Sequence, residues 1–296
     1  MLLDRLFKPK KDQLLYHYCS VETLAAIAEY KTIRFSDVNM MNDYNESGYA
    51  YYLFEEAADA LLKDNVLRKK LPGLAKEYFD RVDAVVSPQQ LFLHPTIACF
   101  SKAPDVLSQW RGYGDDAQGV SIGFRADVLG KMPISMLEVE YDREKQIREM
   151  KLGLAAMYLA EIDRGAKWGA EFVDDCRVFA AWSYGFKSDA FREEQEVRLL
   201  HVLTVKKSDG AIQLVDVDET EADGTITPGQ KVKFRVVEGA LVAYLDLPLP
   251  SGDLTKLMPE LWVGPRNKNG PGNLMYLLGG QGISHTQLKV SRATYR

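Results

Sequence analysis

Two turn signals in the last third constrain the fold most. Ser208-Asp209-Gly210 separates the β-forming runs 196–205 and 211–217, and Glu238-Gly239 separates 231–237 from 240–247. Paired runs of branched and aromatic residues joined by so few turn residues close as antiparallel hairpins. The rest of the chain mixes both periods. Leu14 to Tyr18 reads as a strand, and Ser20 caps a helix whose apolar face runs Leu24, Ile27 and Ala28. Thr32 to Ser36 alternates like a strand. Helices are expected over about 47–62 and 74–85, a buried strand over 95–100, and a short helix around 105–110. Further strands fall at 119–124 and 136–141. A long helical zone, about Arg143 to Tyr184, carries Ile147, Met150, Leu154, Met157, Tyr158 and Ile162 as a core stripe. Strands and helices do not alternate regularly, so the expected class is α+β: a mixed, largely antiparallel sheet with flanking helices. One domain over residues 1–296, with a helical insertion at about 143–184, accounts for the length.

Composition removes several functions. With 46% hydrophobic and 27% charged residues the chain has the apolar surface to offset its ordering entropy, which excludes a disordered protein. A net charge of −5 disfavours a broad nucleic-acid surface. Lys63, Arg68, Lys69, Lys70 and Lys76 form the local basic patch, and a solvated helix face is its simplest reading. Three scattered cysteines (Cys19, Cys99, Cys176), four histidines and the lack of CxxC or HExxH argue against a disulfide framework or a zinc site. No metal is expected. The sequence has no signal-peptide core and no run of about 18 apolar residues, so it reads as a soluble, cytoplasmic protein with no membrane role.

Five places carry polar groups that chemistry could use. Gly114 to Ser121 has the glycine spacing of a phosphate loop, but Val120 stands where a lysine must reach the phosphates, so a turn is the simpler reading. His17 lies in an apolar strand on the face opposite Tyr16 and Tyr18, either as a hydrogen-bonded structural histidine or as a ligand donor. Asn42, Asp43 and Glu46 cluster before a helix, where capping is the default and ligand binding the minority reading. Ser101, Trp110, Arg111 and Tyr113 place a hydroxyl, two aromatics and a guanidinium close together, as a stacking wall or as a hydrophobic knob seating a short helix. Finally, if Val197 and Leu199 face the core, Glu194, Glu196 and Arg198 share the opposite face. Two such carboxylates can differ in pKa, with Arg198 tuning the nearer one, although a charged strand edge is a serious rival.

The chain resembles the bacterial domain-of-unknown-function family 2971. The resemblance rests on LLYHYCSVETLAAIAEYKTIRFSDVNMMNDYNE, then ACFS, SQWRGYGDDAQGVSIGF, EEQEVRLL, LWVGPR and a closing Ser-x-x-x-Tyr-Arg tail from Ser291 to Arg296. A weaker resemblance is to the ADP-ribosyltransferase-like fold, which orders its site as His or Arg, then Ser or Tyr, then Glu on successive strands. Here that order is His17, then Ser101 with Tyr113 nearby, then Glu194 and Glu196. The middle position departs from the pattern, with Cys99-Phe100-Ser101 in place of a Ser-Thr-Ser triplet. The resemblance implies NAD as a substrate. His17 would hold the nicotinamide-side ribose or amide, and Tyr18, Trp110 or Tyr113 would stack on the ring. Glu196, or Glu194, would stabilise the cation formed as nicotinamide leaves. The expected activity is ADP-ribose transfer to a macromolecule or NAD hydrolysis, in a phage-defence or toxin–antitoxin setting where an antitoxin or inhibitor could be the partner. The sequence identifies neither the acceptor nor the oligomeric state. Two alternatives stand beside it: a non-enzymatic ligand-binding or sensing domain, and a nucleic-acid-processing protein whose Asp43, Glu46, Glu194 and Glu196 gather a divalent metal.

Overall fold

The computed structural model describes residues 5–38, 46–89, 93–208, 210–220, 226–250 and 254–295. The chain opens with β1 (Leu14–Cys19), α1 (Val21–Tyr30) and β2 (Thr32–Asp37), followed by α2 (Glu46–Lys63), α3 (Asn65–Lys70) and α4 (Lys76–Gln89). Then come β3 (Leu93–Ser101), α5 (Leu107–Gly112), β4 (Val120–Arg125), α6 (Ala126–Leu129) and β5 (Ser135–Glu138). The helices α7 (Arg143–Asp163) and α8 (Ala170–Ser183) lead through a 3-10 turn, Asp189–Glu194, into β6 (Glu196–Ser208) and β7 (Ala211–Val215). The remainder is β8 (Glu219–Thr220), β9 (Ile226–Thr227), β10 (Lys233–Val237), β11 (Ala240–Pro248), α9 (Leu254–Leu257), β12 (Glu260–Val263), α10 (Pro271–Gly280) and β13 (Gln287–Val290). The class is α+β, and the main sheet has eleven strands among the described residues.

Strand β3 is the spine of that sheet. One edge pairs with β6 from Leu93↔Thr204 to Ser101↔Glu196. The other edge is shared, by β2 at Thr96 and Ile97 and by β1 at Ser101. Pairing is antiparallel throughout except between β12 and β13. Both hairpins expected from the turn signals form, as β6–β7 and β10–β11.

Alternation along the strands divides the side chains between two cores. Leu15, Phe100, Ile122, Phe124, Val197 and Leu199 lie on one face and pack with Leu24 and Ile27 of α1 and Leu274 and Leu278 of α10. Each such fully buried side chain contributes about 1.5–3 kcal/mol. On the other face, Ile97, Leu137 and Leu200 meet Ala181 and Tyr184 at the end of α8. Beyond them α2, α4, α7 and α8 close a helical core around Leu53, Phe79, Leu154 and Phe179. Ser20 caps α1 as expected, its side chain accepting from the Thr23 amide at 3.2 Å.

Several expectations need correction. The zone 143–184 is two helices, broken at Arg164 to Gly169, and its stripe ends early because Ile162 is 38% exposed. The helix expected from Leu74 starts at Lys76, and a further helix, α3, precedes it, capped by Asp64. The last strand of the 136–141 segment is shorter, ending at Glu138. The acidic run Asp216, Asp218, Glu219, Glu221 and Asp223 reads from the sequence as a solvated turn, yet the Asp216 side chain is 5% exposed and lies 2.8 Å from His201. Gly114 to Ser121 is a turn feeding β4, in which Asp115, Asp116 and Ala117 adopt left-handed backbone. Gly119 is obligatory there, since a Cβ would stand 2.1 Å from the Cys19 carbonyl oxygen.

Candidate functional site

Four charged side chains meet where the 3-10 turn enters β6. Glu194, Glu196, Lys187 and Arg198 are 7%, 4%, 4% and 1% exposed. Gln195, between the two glutamates, takes a left-handed conformation (φ 46°), which turns the chain from the 3-10 segment into the strand. Val197 and Leu199 face the core, so alternation puts Glu196 and Arg198 on the opposite face, beside Ser101 and Cys99 of β3.

The Lys187 ammonium bridges the carboxylates, 2.7 Å from Glu194 Oε2 and 3.3 Å from Glu196 Oε2. Arg198 grips Glu196 with both ends of its fork, Nε to Oε1 at 2.9 Å and Nη2 to Oε2 at 3.1 Å. The Tyr113 hydroxyl donates to Glu194 Oε1 at 3.0 Å, and Ser101 Oγ donates to the Glu194 carbonyl at 2.7 Å. The Glu196 amide donates to the Tyr141 hydroxyl at 2.9 Å. Behind Lys187, the buried Gln146 of α7 donates to the carbonyls of Lys187 (2.8 Å) and Glu140 (2.6 Å). These backbone contacts fix the lysine from the helical side.

The two carboxylates are driven apart electrostatically. Burial raises the Glu194 pKa, and Lys187 and Tyr113 only partly oppose it. Burial pushes Glu196 the same way, but Arg198 and then Lys187 outweigh it and hold it at about 2. Burial, reinforced by Glu196, pushes the Cys99 thiol well above its ordinary value, which makes it a poor nucleophile. Burial and the Glu194 charge likewise raise Tyr113. The cluster is thus two buried carboxyl groups of unequal proton affinity held by two cations, at a cost that packing alone does not require.

Of the residues singled out in the sequence, Ser101, Tyr113, Glu194, Glu196 and Arg198 come together here. His17 does not. Tyr16 stands opposite Ser101 and Ser101 opposite Glu196, so these three share a face and His17, one residue along, points to the other. Its ring lies 5.3 Å from that of Phe100 in the main core, its Nδ1–H donates to the Cys99 carbonyl at 2.9 Å, and burial lowers its pKa. The structural-histidine alternative is therefore the one realised.

Tyr18 and Trp110 are on the site's face but are used up in packing. They meet edge to face at 4.9 Å, and Trp110 is 0% exposed with its Nε1–H on Asp105 at 2.7 Å. This is the knob that seats α5, not a stacking wall. Arg111 is exposed and lies over the Tyr295 ring at 5.6 Å, away from the carboxylates. Asn42 and Asp43 lie outside the described residues, as does the side chain of Glu46. For the metal reading, Lys187 occupies the position between Glu194 and Glu196 that an ion would need. The basic patch is a solvated helix face: Lys63 and Lys76 pair with Asp59 and Asp80 one turn away. Sequence reasoning missed Lys187, Tyr141 and Gln146. Nothing local marks them: Lys187 and Tyr141 reach Glu194 and Glu196 across 7 and 55 residues of sequence, and Gln146 reaches only the Lys187 backbone, across 41.

Comparison with known proteins adds one match. Residues 109–199 match the model of a family described as a protein of unknown function (DUF2971). The chain is similar to that family over this segment. The segment contains Tyr113, Tyr141, Lys187, Glu194, Glu196 and Arg198 and runs through the helical zone 143–184. No curated protein and no solved structure matches the chain. The resemblance to ADP-ribosyltransferases gains no support from these comparisons. No helix of the described residues is long and apolar enough to cross a membrane.

Proposed function

We propose that the Glu194–Glu196 pair is the reactive centre of an enzyme that breaks a glycosidic bond through a cation-like transition state. NAD, a C–N glycoside, is proposed as the substrate from the carboxylate pair alone, because the residue order that first suggested it began with His17, which lies on the opposite face. The observation that carries the reading is the divergence of the two carboxylates, Glu194 raised and Glu196 held at about 2. Environments that separate a carboxyl pair in this way give the two carboxyls different roles, with the lower one a permanent anion. Glu196 would stabilise the developing cation, and Glu194 would hold a ribose hydroxyl. His17, Tyr18 and Trp110 have no part in it. The test is release of nicotinamide from NAD by the purified chain, with water or a candidate macromolecule as acceptor. Release should fall by about 100-fold in both Glu194→Gln and Glu196→Gln. No release, together with no NAD-dependent rise in unfolding temperature, contradicts the proposal.

A second reading, a non-enzymatic binding domain, is favoured by one feature. Both oxygens of each carboxylate already have a partner within the protein. On that reading Glu196→Gln weakens ligand or partner binding and there is no turnover to lose.

A further inference from the structure

Strand β10 closes one end of the main sheet and, among the described residues, pairs only with β11. Glu238 and Gly239 both take left-handed backbone (φ 49° and 83°), the two-residue turn whose twist suits a hairpin. Such a turn closes on a hydrogen-bonded pair, here Val237↔Ala240, and bonded and unbonded pairs then alternate along the strands. Val237, Arg235 and Lys233 therefore direct their peptide groups to β11, while Phe234 and Val236 direct theirs outward. The side chains alternate as well. Phe234 and Val236, with Leu241 opposite Val236, put three large apolar groups on one face at 56%, 71% and 64% exposure. On the other face Lys233, Arg235 and Arg34 surround the Tyr244 ring. Asp246 pairs with Arg34 at 2.9 Å and with Lys233 at 3.0 Å, whereas Arg235 donates to Ser36 Oγ at 3.3 Å. Three cations thus stand against a single carboxylate. Lysine on an edge strand is an ordinary guard against aggregation, but a guard does not explain three exposed apolar side chains on the opposite face.

We propose that β10 is a docking edge for an extended segment of a partner protein, which adds antiparallel as a further strand and carries acidic side chains at alternate positions. Bonds to the outward peptide groups of Phe234 and Val236 supply the affinity, and the two faces supply the specificity. Apolar side chains of the segment meet Phe234 and Val236. Its acidic ones meet Lys233 and Arg235, where opposite charges across strands are favourable. A second copy of this chain fits worse. An antiparallel copy of β10 that keeps like faces together sets Arg235 opposite its own counterpart or opposite Lys233, and like charges directly opposite are destabilising. Nucleic acid fits worse as well, since the chain carries a net charge of −5 and Asp246 lies within the cationic face. The docking edge is independent of the proposed chemistry at Glu194 and Glu196.

The probe is an end-capped, rhodamine-labelled peptide of sequence EVEVEVE, titrated with the full chain and read by fluorescence anisotropy. It is compared with the same peptide N-methylated at its valines, whose amides face Phe234 and Val236 in the proposed pairing, and with KVKVKVK. The acidic peptide should bind saturably, and the N-methylated and lysine peptides at least about fivefold more weakly, the loss of one hydrogen bond or more. Val236→Pro removes one outward N–H and leaves the pairing with β11 intact, so it should weaken the acidic peptide by about fivefold or more. The double variant Lys233→Glu with Arg235→Glu should reverse the order of the acidic and lysine peptides. Absence of saturable binding of the acidic peptide, equal binding of its N-methylated form, or no effect of Val236→Pro overturns the docking edge. A preference of the wild type for the lysine peptide overturns the assigned partner chemistry. Self-association of the chain that Val236→Pro abolishes, without binding of the acidic peptide, assigns the edge to a second copy and overturns the proposal.

Discussion

Lys187→Met removes the cation that the two carboxylates share and leaves a side chain of nearly the same length. Glu196 keeps its bidentate Arg198, whereas Glu194 is left buried with the Tyr113 hydroxyl at 3.0 Å. Removing one partner of a buried ion pair costs about 3–5 kcal/mol, because the other charge stays desolvated and unopposed. Glu194 has a way to escape part of that cost. Its pKa is already raised by burial, and loss of Lys187 raises it further, so it takes a proton where an ordinary glutamate would not. The sign follows: a carboxyl with a raised folded-state pKa binds more protons folded than unfolded, so its penalty grows as pH rises from the unfolded value through the folded one. Urea unfolding of the variant should therefore show a loss of about 3 kcal/mol near pH 8 and about 1 kcal/mol near pH 5. The double variant Lys187→Met with Glu194→Gln, which buries no unpaired charge, should recover to within about 1 kcal/mol of wild type at both. A loss below about 1 kcal/mol in the single variant, or an equal loss at the two pH values, refutes the idea that Lys187 joins the glutamates into one electrostatic unit.

Two further outcomes follow from the same physics. Glu196, held at about 2, stabilises the fold by about 3 kcal/mol above the unfolded carboxyl pKa, and that contribution is lost as pH falls toward 2; Glu196→Gln should flatten the acid limb of a stability–pH profile, and an unchanged limb counts against the Arg198 pairing. Gly119→Ala should cost more than about 3 kcal/mol, seen as loss of soluble folded protein or a large fall in unfolding temperature, because backbone oxygens of Cys19 and Gly114 stand 2.1 and 2.8 Å from the new Cβ and neither can yield cheaply.

The parts of the fold legible in the sequence were those set by local patterns. Hairpin turns, the Ser20 cap and the alternation Glu196–Val197–Arg198–Leu199 each need only neighbours in sequence, and each is present. The same alternation made the faces of β6 legible and so brought Glu196 and Arg198 together. It also placed His17 opposite Tyr16 and Tyr18, but the face of His17 relative to Glu196 depends on the cross-strand pairs Tyr16↔Ser101 and Ser101↔Glu196, which no local pattern reveals. Likewise Trp110 and Tyr18 are aromatics near glycines in the sequence, and only the packing at 4.9 Å shows that their rings are spent on each other. Lys187 was illegible for another reason. A single lysine after a helix is ordinarily solvated, and its burial follows from Gln146 on a distant turn of α7 holding its backbone. Asp216 misled in the opposite direction: an acidic run suggests solvent, yet the buried His201 on the neighbouring strand captures its first member.

The central claim is that burial and two cations separate Glu194 from Glu196, and the most direct test is to titrate each carboxyl in the folded chain. Glutamate labelled with carbon-13 at the side-chain carboxyl, assigned through Glu194→Gln and Glu196→Gln, reports each proton by its chemical shift. Glu194 should titrate above the ordinary carboxylate range and Glu196 should remain ionised down to the acid limit of folding, consistent with its value of about 2. Two resonances titrating together near the ordinary glutamate value, or Glu196 titrating above Glu194, would contradict the account.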